Sequence, residues 1–177
     1  MSHPRTLSHA RHLAGRMVGS MRARPPTPRE EAEVAGLLST ELAALFWEQP
    51  VMDQRHGIDA AHFVLARRPG DQPAARAALL HDVGKRRARL GVPGRVAATL
   101  LALVRVRAPG RLGVYLDHAG LGAEDLAAAG AGALVVAYAR HQDGLRPAEV
   151  PEDVWDVLRQ ADGEKPRPPR EPQYDGD

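Results

Sequence analysis

Residues 73–85 read PAARAALLHDVGK, a helix-forming run that ends in adjacent imidazole and carboxylate side chains. His81 and Asp82 follow the alanines of residues 74–78 at helical spacing, so both are predicted to lie on the apolar side of one helix. That helix is predicted to run from Pro73 to Leu90. An ionised carboxylate inside a protein costs several kcal/mol unless it is paired, so this His-Asp pair needs partners.

The rest of the chain is also predicted to be helical, because apolar residues recur at helical spacing and no segment alternates like a strand. Thr27 as N-cap and Pro28 as first helical residue predict a helix that continues to about Glu48. Proline and glycine divide the remaining sequence. The predicted fold is an all-α helical bundle, with further helices at about 54–68, 73–90, 93–108, 111–118, 123–129, 132–141 and 151–161.

The composition fits one globular domain with a helical core. The chain has 177 residues, of which 44% are hydrophobic, 26% charged and 4% aromatic. A core made mainly of Ala, Leu and Val suits closely packed helices better than a β-sandwich. There is no cysteine, which excludes disulfides, thiolate zinc sites and cysteine nucleophiles. Any bound transition metal must use His, Asp or Glu, a ligand set suited to manganese, iron, magnesium or zinc.

The charge distribution separates a predicted core, residues 30–162, from two flanking segments. Residues 1–29 carry six arginines and no acid, and residues 163–177 are rich in proline and charge. The leader is interpreted as a solvated segment, with binding to nucleic acid or to a membrane surface as the alternative. No apolar run reaches the ~20 residues of a membrane span, and a cytoplasmic location is expected.

Several polar residues fall on the apolar sides of their predicted helices. Singly, each histidine could be a hydrogen-bonded core residue, and Asp162 could pair with Arg159 or Lys165. Together, imidazoles and carboxylates from five helices favour a shared cation that satisfies them all. His62 lies on another face and is interpreted as structural. The residues predicted to point inward are His56, His81, Asp82, His118, His141 and Asp162.

The order of these residues resembles the HD superfamily of metal-dependent phosphohydrolases, which is an all-helical family. Its ligands come from separate helices in the order His, His-Asp, Asp. Here that order is His56, then His81-Asp82 within ALLHDVGK, then Asp162 within LRQADGEK. The resemblance covers roughly residues 50–165.

Two further histidines resemble the additional ligands of dinuclear HD enzymes. His118 opens HAGLGAEDLAAAG, and His141 lies in YARHQDG. This layout is similar to that of bacterial HD enzymes that split symmetrical dinucleoside tetraphosphates. It is less similar to the HD-GYP cyclic-dinucleotide phosphodiesterases, whose paired histidines are replaced here by Arg140-His141.

The resemblance implies a site for two divalent ions, of iron, manganese or magnesium. The implied reaction is hydrolysis of a phosphoester or phosphoanhydride in a nucleotide-like substrate, with a hydroxide that bridges the ions as nucleophile. Asp82 would bridge the ions. The first ion would be bound by His56, His81, Asp82 and Asp162, and the second by Asp82, His118 and His141.

Three basic residues near these positions are candidates for binding substrate phosphate. Lys85 lies one helical turn after His81 and is the predicted catalytic cation, with a salt bridge to Asp82 as an equally good explanation. Arg55 and Arg140 are sequence neighbours of predicted ligands and are candidate phosphate contacts.

Two other functions are compatible with the same motifs. Some HD proteins with the six-ligand set are di-iron oxygenases. A non-catalytic HD module could instead regulate a partner or bind nucleic acid through the basic leader. Retention of all six presumed ligands argues against a module without a metal site.

Overall fold

A computed structural model describes residues 23–103 and 108–163 of the chain. These residues form helices joined by turns and contain no β-strand, which confirms the predicted all-α class. No helix among them is long and apolar enough to cross a membrane. Most of the predicted leader and tail lies outside the described residues. The helices are α1 (Pro28–Leu37), α2 (Thr40–Trp47), α3 (Val51–Arg67), α4 (Gln72–Leu80), α5 (Lys85–Ala88), α6 (Val92–Leu103), α7 (Gly110–Leu116), α8 (His118–Ala128), α9 (Ala133–His141) and α10 (Glu152–Ala161).

The amino-terminal helix begins where the sequence predicts. The Thr27 hydroxyl accepts from the Glu30 amide at 3.4 Å, and the Glu30 carboxylate accepts from the Thr27 amide at 2.7 Å, which forms a capping box. The prediction that this helix continues to Glu48 is wrong. Leu38 is extended, and the Ser39 hydroxyl accepts from the Leu42 amide at 3.4 Å, so a new helix begins there.

The core lies between α3, α4, α9 and α10, with α1 and α2 covering one side. Helix α4 is the central element, because its alanines at 74, 75, 77 and 78 are all buried. Small side chains let neighbouring helices approach it closely. Larger apolar residues from the surrounding helices fill the remaining space, among them Val34, Phe46, Ile58, Leu126, Val135, Tyr138, Trp155 and Leu158.

Two glycine contacts bring backbones together next to the predicted ligands. A Cβ atom at Gly57 on α3 would lie 2.6 Å from the carbonyl oxygen of Leu79 on α4. A Cβ atom at Gly84 would lie 1.9 Å from the carbonyl oxygen of His118 and 2.7 Å from the amide nitrogen of Gly122, both on α8. Any side chain at either position would therefore push two ligand-bearing segments apart.

The predicted helix from Pro73 to Leu90 is interrupted after Leu80. Residues 81–84 form a turn, and α5 then adds a single helical turn. Hydrogen bonds between residues three apart hold this turn: Val83 N to Leu80 O at 3.1 Å and Lys85 N to Asp82 O at 3.0 Å. Contact of Gly84 with α8 accompanies the change of direction, a tertiary interaction that helical periodicity does not encode.

Replacement of Gly84 by alanine should destabilise the protein by at least about 2 kcal/mol, because a β-carbon there overlaps the His118 carbonyl. Urea unfolding followed by circular dichroism measures this change. Gly36→Ala is the matched control, since a Cβ at Gly36 meets nothing within 4 Å. Alanine at that helical position should stabilise by up to about 1 kcal/mol. Equal stability of Gly84→Ala and wild type would contradict the described contact.

Candidate metal centre

His81 presents one ring nitrogen to the interior without a hydrogen-bond partner. Its Nδ1 donates to the Ala78 carbonyl at 2.8 Å, so Nε2 is the nitrogen available as a ligand. The side chain is 1% exposed, and Nε2 is buried with no hydrogen bond. A buried polar atom left unsatisfied costs about 1–3 kcal/mol. A backbone carbonyl that fixes the tautomer is also the usual partner of a metal-binding histidine.

Two carboxylates and a second imidazole face this nitrogen. The Nε2 atom of His81 lies 3.4 Å from Asp162 Oδ1 and 3.5 Å from Asp82 Oδ2. The Nε2 atom of His56 lies 3.1 Å from the same Asp162 oxygen. The ligand atoms of His56, His81 and Asp82 fall within 4.8 Å of one another, a group that could hold a metal ion. We call His56, His81, Asp82 and Asp162 the histidine–carboxylate cluster.

The four members come from three separate parts of the fold. His56 lies on α3, His81 and Asp82 lie in the turn after α4, and Asp162 directly follows α10. One carboxylate oxygen of Asp162, Oδ1, faces both imidazoles. His56 and Asp162 are 29% and 23% exposed, so the cluster is reachable from solvent on their side.

The electrostatic balance keeps both carboxylates ionised. Burial would raise the pKa of Asp82, but His81 and Lys85 outweigh it and hold that pKa well below its usual value. Burial likewise opposes ionisation of Asp162, but the hydrogen bond with His56 and the charge of the nearby His81 lower its pKa. For His81, burial alone would lower the pKa, yet the charges of Asp82 and Asp162 raise it to about 9.

Lys85 forms the salt bridge to Asp82 that the sequence offered as one of two explanations. Its ammonium donates to Asp82 Oδ2. Burial would lower the pKa of Lys85, but the Asp82 carboxylate outweighs it and raises that pKa, so the lysine stays protonated. A permanent positive charge therefore lies at the edge of the cluster.

His118 faces the other oxygen of Asp82. Its Nδ1 donates to the Tyr115 carbonyl at 2.8 Å, and its Nε2 lies 3.5 Å from Asp82 Oδ1. The Tyr115 ring stacks on the imidazole with centroids 5.8 Å apart. Nε2 also lies 4.0 Å from an oxygen of Asp143, an exposed residue just after α9. Asp82 thus has one oxygen toward His81 and one toward His118.

The predicted interior position of His141 is wrong. His141 is exposed at the end of α9, and the structure does not bring it to the cluster. The next residue, Gln142, is 2% exposed and donates to the carbonyls of His81 at 2.8 Å and Ala139 at 3.1 Å. The buried side of α9 and the residue after it contains Val135, Tyr138, Ala139 and Gln142. The predicted inward-facing side of this helix is therefore wrong by one residue.

Of the two arginines predicted to contact phosphate, Arg55 is already engaged by other groups, and the prediction for Arg140 stays a prediction. Arg55 donates to Glu30 Oε2 at 3.0 Å and to the Pro25 carbonyl at 3.1 Å, which ties α3 to the start of α1. Arg140 is exposed on α9. His62 lies 2.8 Å from Glu33 Oε2 on the surface, in keeping with its structural interpretation.

A buried ion pair beside the cluster was not predicted. Arg95 on α6 donates to both oxygens of Asp53 on α3, at 2.7 and 2.6 Å, and both side chains are almost fully buried. Asp53 precedes His56 by three residues, on the same side of α3. The three-residue spacing was the sequence signal for this pair, because it places the Asp53 carboxylate on the inward-facing side of α3. The pair fixes the first turn of α3 against α6.

No family model, curated protein or solved structure matches this chain. The resemblance to the HD superfamily therefore rests on the sequence motifs and stays a prediction.

Mn²⁺ should stabilise the EDTA-treated protein through the histidine–carboxylate cluster. At about 100 times its Kd, an ion that binds only the folded state adds about 2.7 kcal/mol, which raises the Tm by several degrees. Differential scanning fluorimetry measures the shift. Asp162→Asn, which keeps the side-chain volume, and His81→Ala should abolish it. His62→Ala is the control, because His62 is exposed and pairs with Glu33. A full shift in Asp162→Asn would contradict the site.

Proposed function

We propose that the protein is a metal-dependent phosphohydrolase that acts on a phosphoester or phosphoanhydride in a nucleotide-like substrate. The observation that carries the proposal is the buried Nε2 of His81, which makes no hydrogen bond and faces two ionised carboxylates and a second imidazole. Nitrogen and carboxylate donors in this combination suit manganese, iron, magnesium or zinc. The motif order His56, His81-Asp82, Asp162 supports the same assignment.

The cluster residues would coordinate the ion, and neighbouring groups orient the cluster side chains. His56, His81, Asp82 and Asp162 would supply the ligands. The Ala78 carbonyl orients His81, and Lys85 orients Asp82. A divalent ion bound there would polarise a phosphoryl oxygen and lower the pKa of a bound water.

The side chains around the cluster favour an anionic substrate. His56 and Asp162 are partly exposed, so a phosphate can approach from their side. Lys85 is 20% exposed and keeps its charge, so it can help to neutralise a phosphate oxygen while it orients Asp82. No covalent nucleophile is needed for this chemistry, in keeping with a chain that lacks cysteine.

A second ion would bind on the other side of Asp82. Asp82 Oδ1 and His118 Nε2 lie 3.5 Å apart there, and Asp143 lies 4.0 Å from the same nitrogen. His141, the ligand implied by the resemblance, is exposed. Asp143 is also exposed, but its carboxylate lies 4.0 Å from His118 Nε2, so it is the better candidate to complete a second site.

Phosphate release should depend on the cluster. With Mn²⁺ present, we expect turnover in a screen of nucleotides, dinucleoside polyphosphates and cyclic dinucleotides, followed by phosphate or nucleotide detection. His81→Ala and Asp162→Asn should lose at least about 100-fold in kcat/KM, because loss of an outer-shell partner alone costs 10–100-fold. His62→Ala should keep the wild-type rate. An iron pair that consumes oxygen without phosphate release would contradict the proposal and favour the oxygenase.

The identity of the second-site ligand can be tested by metal content. Asp143→Ala should lower the Mn²⁺ content of the loaded protein from two ions to one, whereas His141→Ala should leave it unchanged. Inductively coupled plasma mass spectrometry of desalted protein measures the ratio. A loss of one ion in His141→Ala, with none in Asp143→Ala, would favour the ligand implied by the sequence.

A further inference from the structure

A groove of about 1230 Å³ lies where the junction between α2 and α3 faces α5 and the loop before α6. The cluster residues do not line it. Its walls include a carboxylate, apolar residues and three arginines, namely Glu48, Pro50, Met52, Arg86, Arg87 and Arg89. We call it the arginine groove.

The three arginines differ in how far their charge is already neutralised. Arg86 donates to Glu48 at 2.8 Å and to Asp125 at 2.6 Å, and its side chain is 12% exposed, so its role is structural. Arg87 donates to Asp125 at 2.9 Å but stays 40% exposed. Arg89 is exposed, and no carboxylate among the described residues pairs with it. Arg89, helped by Arg87, therefore gives the groove its net positive charge.

The backbone of Arg89 adopts a conformation that favours glycine. Its φ is 47° and its ψ is 42°, the left-handed region, which residues with a side chain rarely adopt. Arg111 holds this shape, because its guanidinium donates to the Ala88 carbonyl at 2.8 Å and to the Arg89 carbonyl. A glycine would relieve the strain without loss of these backbone contacts. An arginine in that position is unfavourable for folding and marks its side chain as a candidate binding group.

The groove adjoins the histidine–carboxylate cluster. Met52 lines it and lies four residues before His56 on the same side of α3, a rise of about 6 Å along the helix. On the opposite wall, Arg86 directly follows Lys85, which donates to Asp82. The groove wall therefore begins within about one helical turn of the cluster residues along the chain, a distance that an extended ligand can span.

We propose that the arginine groove binds the phosphate chain of an extended substrate, with Arg89 and Arg87 as the residues that select for it. The inference rests on the proposed phosphohydrolase function, in which the scissile phosphate lies at the cluster. Guanidinium groups are always charged and bind phosphate oxygens in pairs, so they suit the phosphates that do not react. Glu48 and Asp125 limit the basic surface to a short stretch. A nucleic-acid strand needs a longer basic track, so a short polyphosphate fits better.

Direct binding tests the groove independently of turnover. Isothermal titration calorimetry of the full-length protein, at fixed low salt and in EDTA, would use tripolyphosphate, orthophosphate and a 12-nucleotide single strand. Tripolyphosphate should bind more tightly than either of the others. Arg89→Gly should weaken it at least about tenfold, since it removes a charge-assisted hydrogen bond to phosphate. Arg87→Ala should weaken it less. Arg29→Ala removes an exposed arginine outside the groove and should leave the affinity unchanged.

Stability separates loss of binding from loss of fold. Arg89→Gly should be at least as stable as wild type in urea, because glycine accepts the left-handed backbone. No tripolyphosphate binding by wild type, equal affinity in Arg89→Gly, or Arg89-dependent preference for the oligonucleotide would each overturn the inference. Arg89-dependent tripolyphosphate binding without phosphate release on any substrate would support the groove and contradict the proposed hydrolase.

Discussion

The backbone of the turn at residues 81–84 lies directly against the first turn of α8, with no side chain between them. This contact is possible because a glycine stands on each side, Gly84 in the turn and Gly122 on the helix. It bends the chain after α4, so His81 points toward α3 and α10 while Asp82 lies between His81 and His118. The placement of His81 and Asp82 relative to His118 depends on that close approach.

The ionisation state and orientation of the cluster side chains also depend on neighbouring groups. Asp82 and Asp162 stay ionised inside the protein because His56, His81 and Lys85 face them. The imidazoles in turn are oriented by carbonyls of their own chain segments, Ala78 for His81 and Tyr115 for His118. A cation site requires ionisable groups whose positions are fixed before the ion binds. Histidines that serve only as hydrogen-bonded core residues do not require such an arrangement.

Much of the helical framework was readable from the sequence, because capping residues, prolines and apolar periodicity are local signals. Helical spacing also placed His56, His81, Asp82 and Asp162 on the apolar sides of their helices, and the structure brings these four side chains together. The interruption after Leu80 was not readable, since it accompanies contact with a helix more than thirty residues away. His141 was placed inside because adjacent residues differ by only about 100° around a helix, and a one-residue error exchanges it for Gln142. The Asp53–Arg95 pair and the arginine groove join distant segments, so local pattern alone does not reveal them.

The buried alanines of α4 affect how precisely His81 is positioned. Alanine has no rotamers, so burying it costs no side-chain entropy, and its contacts cannot be rearranged by rotation about a side-chain bond. The helix that carries His81 is thus located by close contacts at its buried alanines, together with the buried side chains of Leu79 and Leu80. Thermal motion of the cluster side chains would then reflect movement of whole helices rather than independent side-chain fluctuation. Such a site keeps one shape whether or not an ion or a substrate is bound.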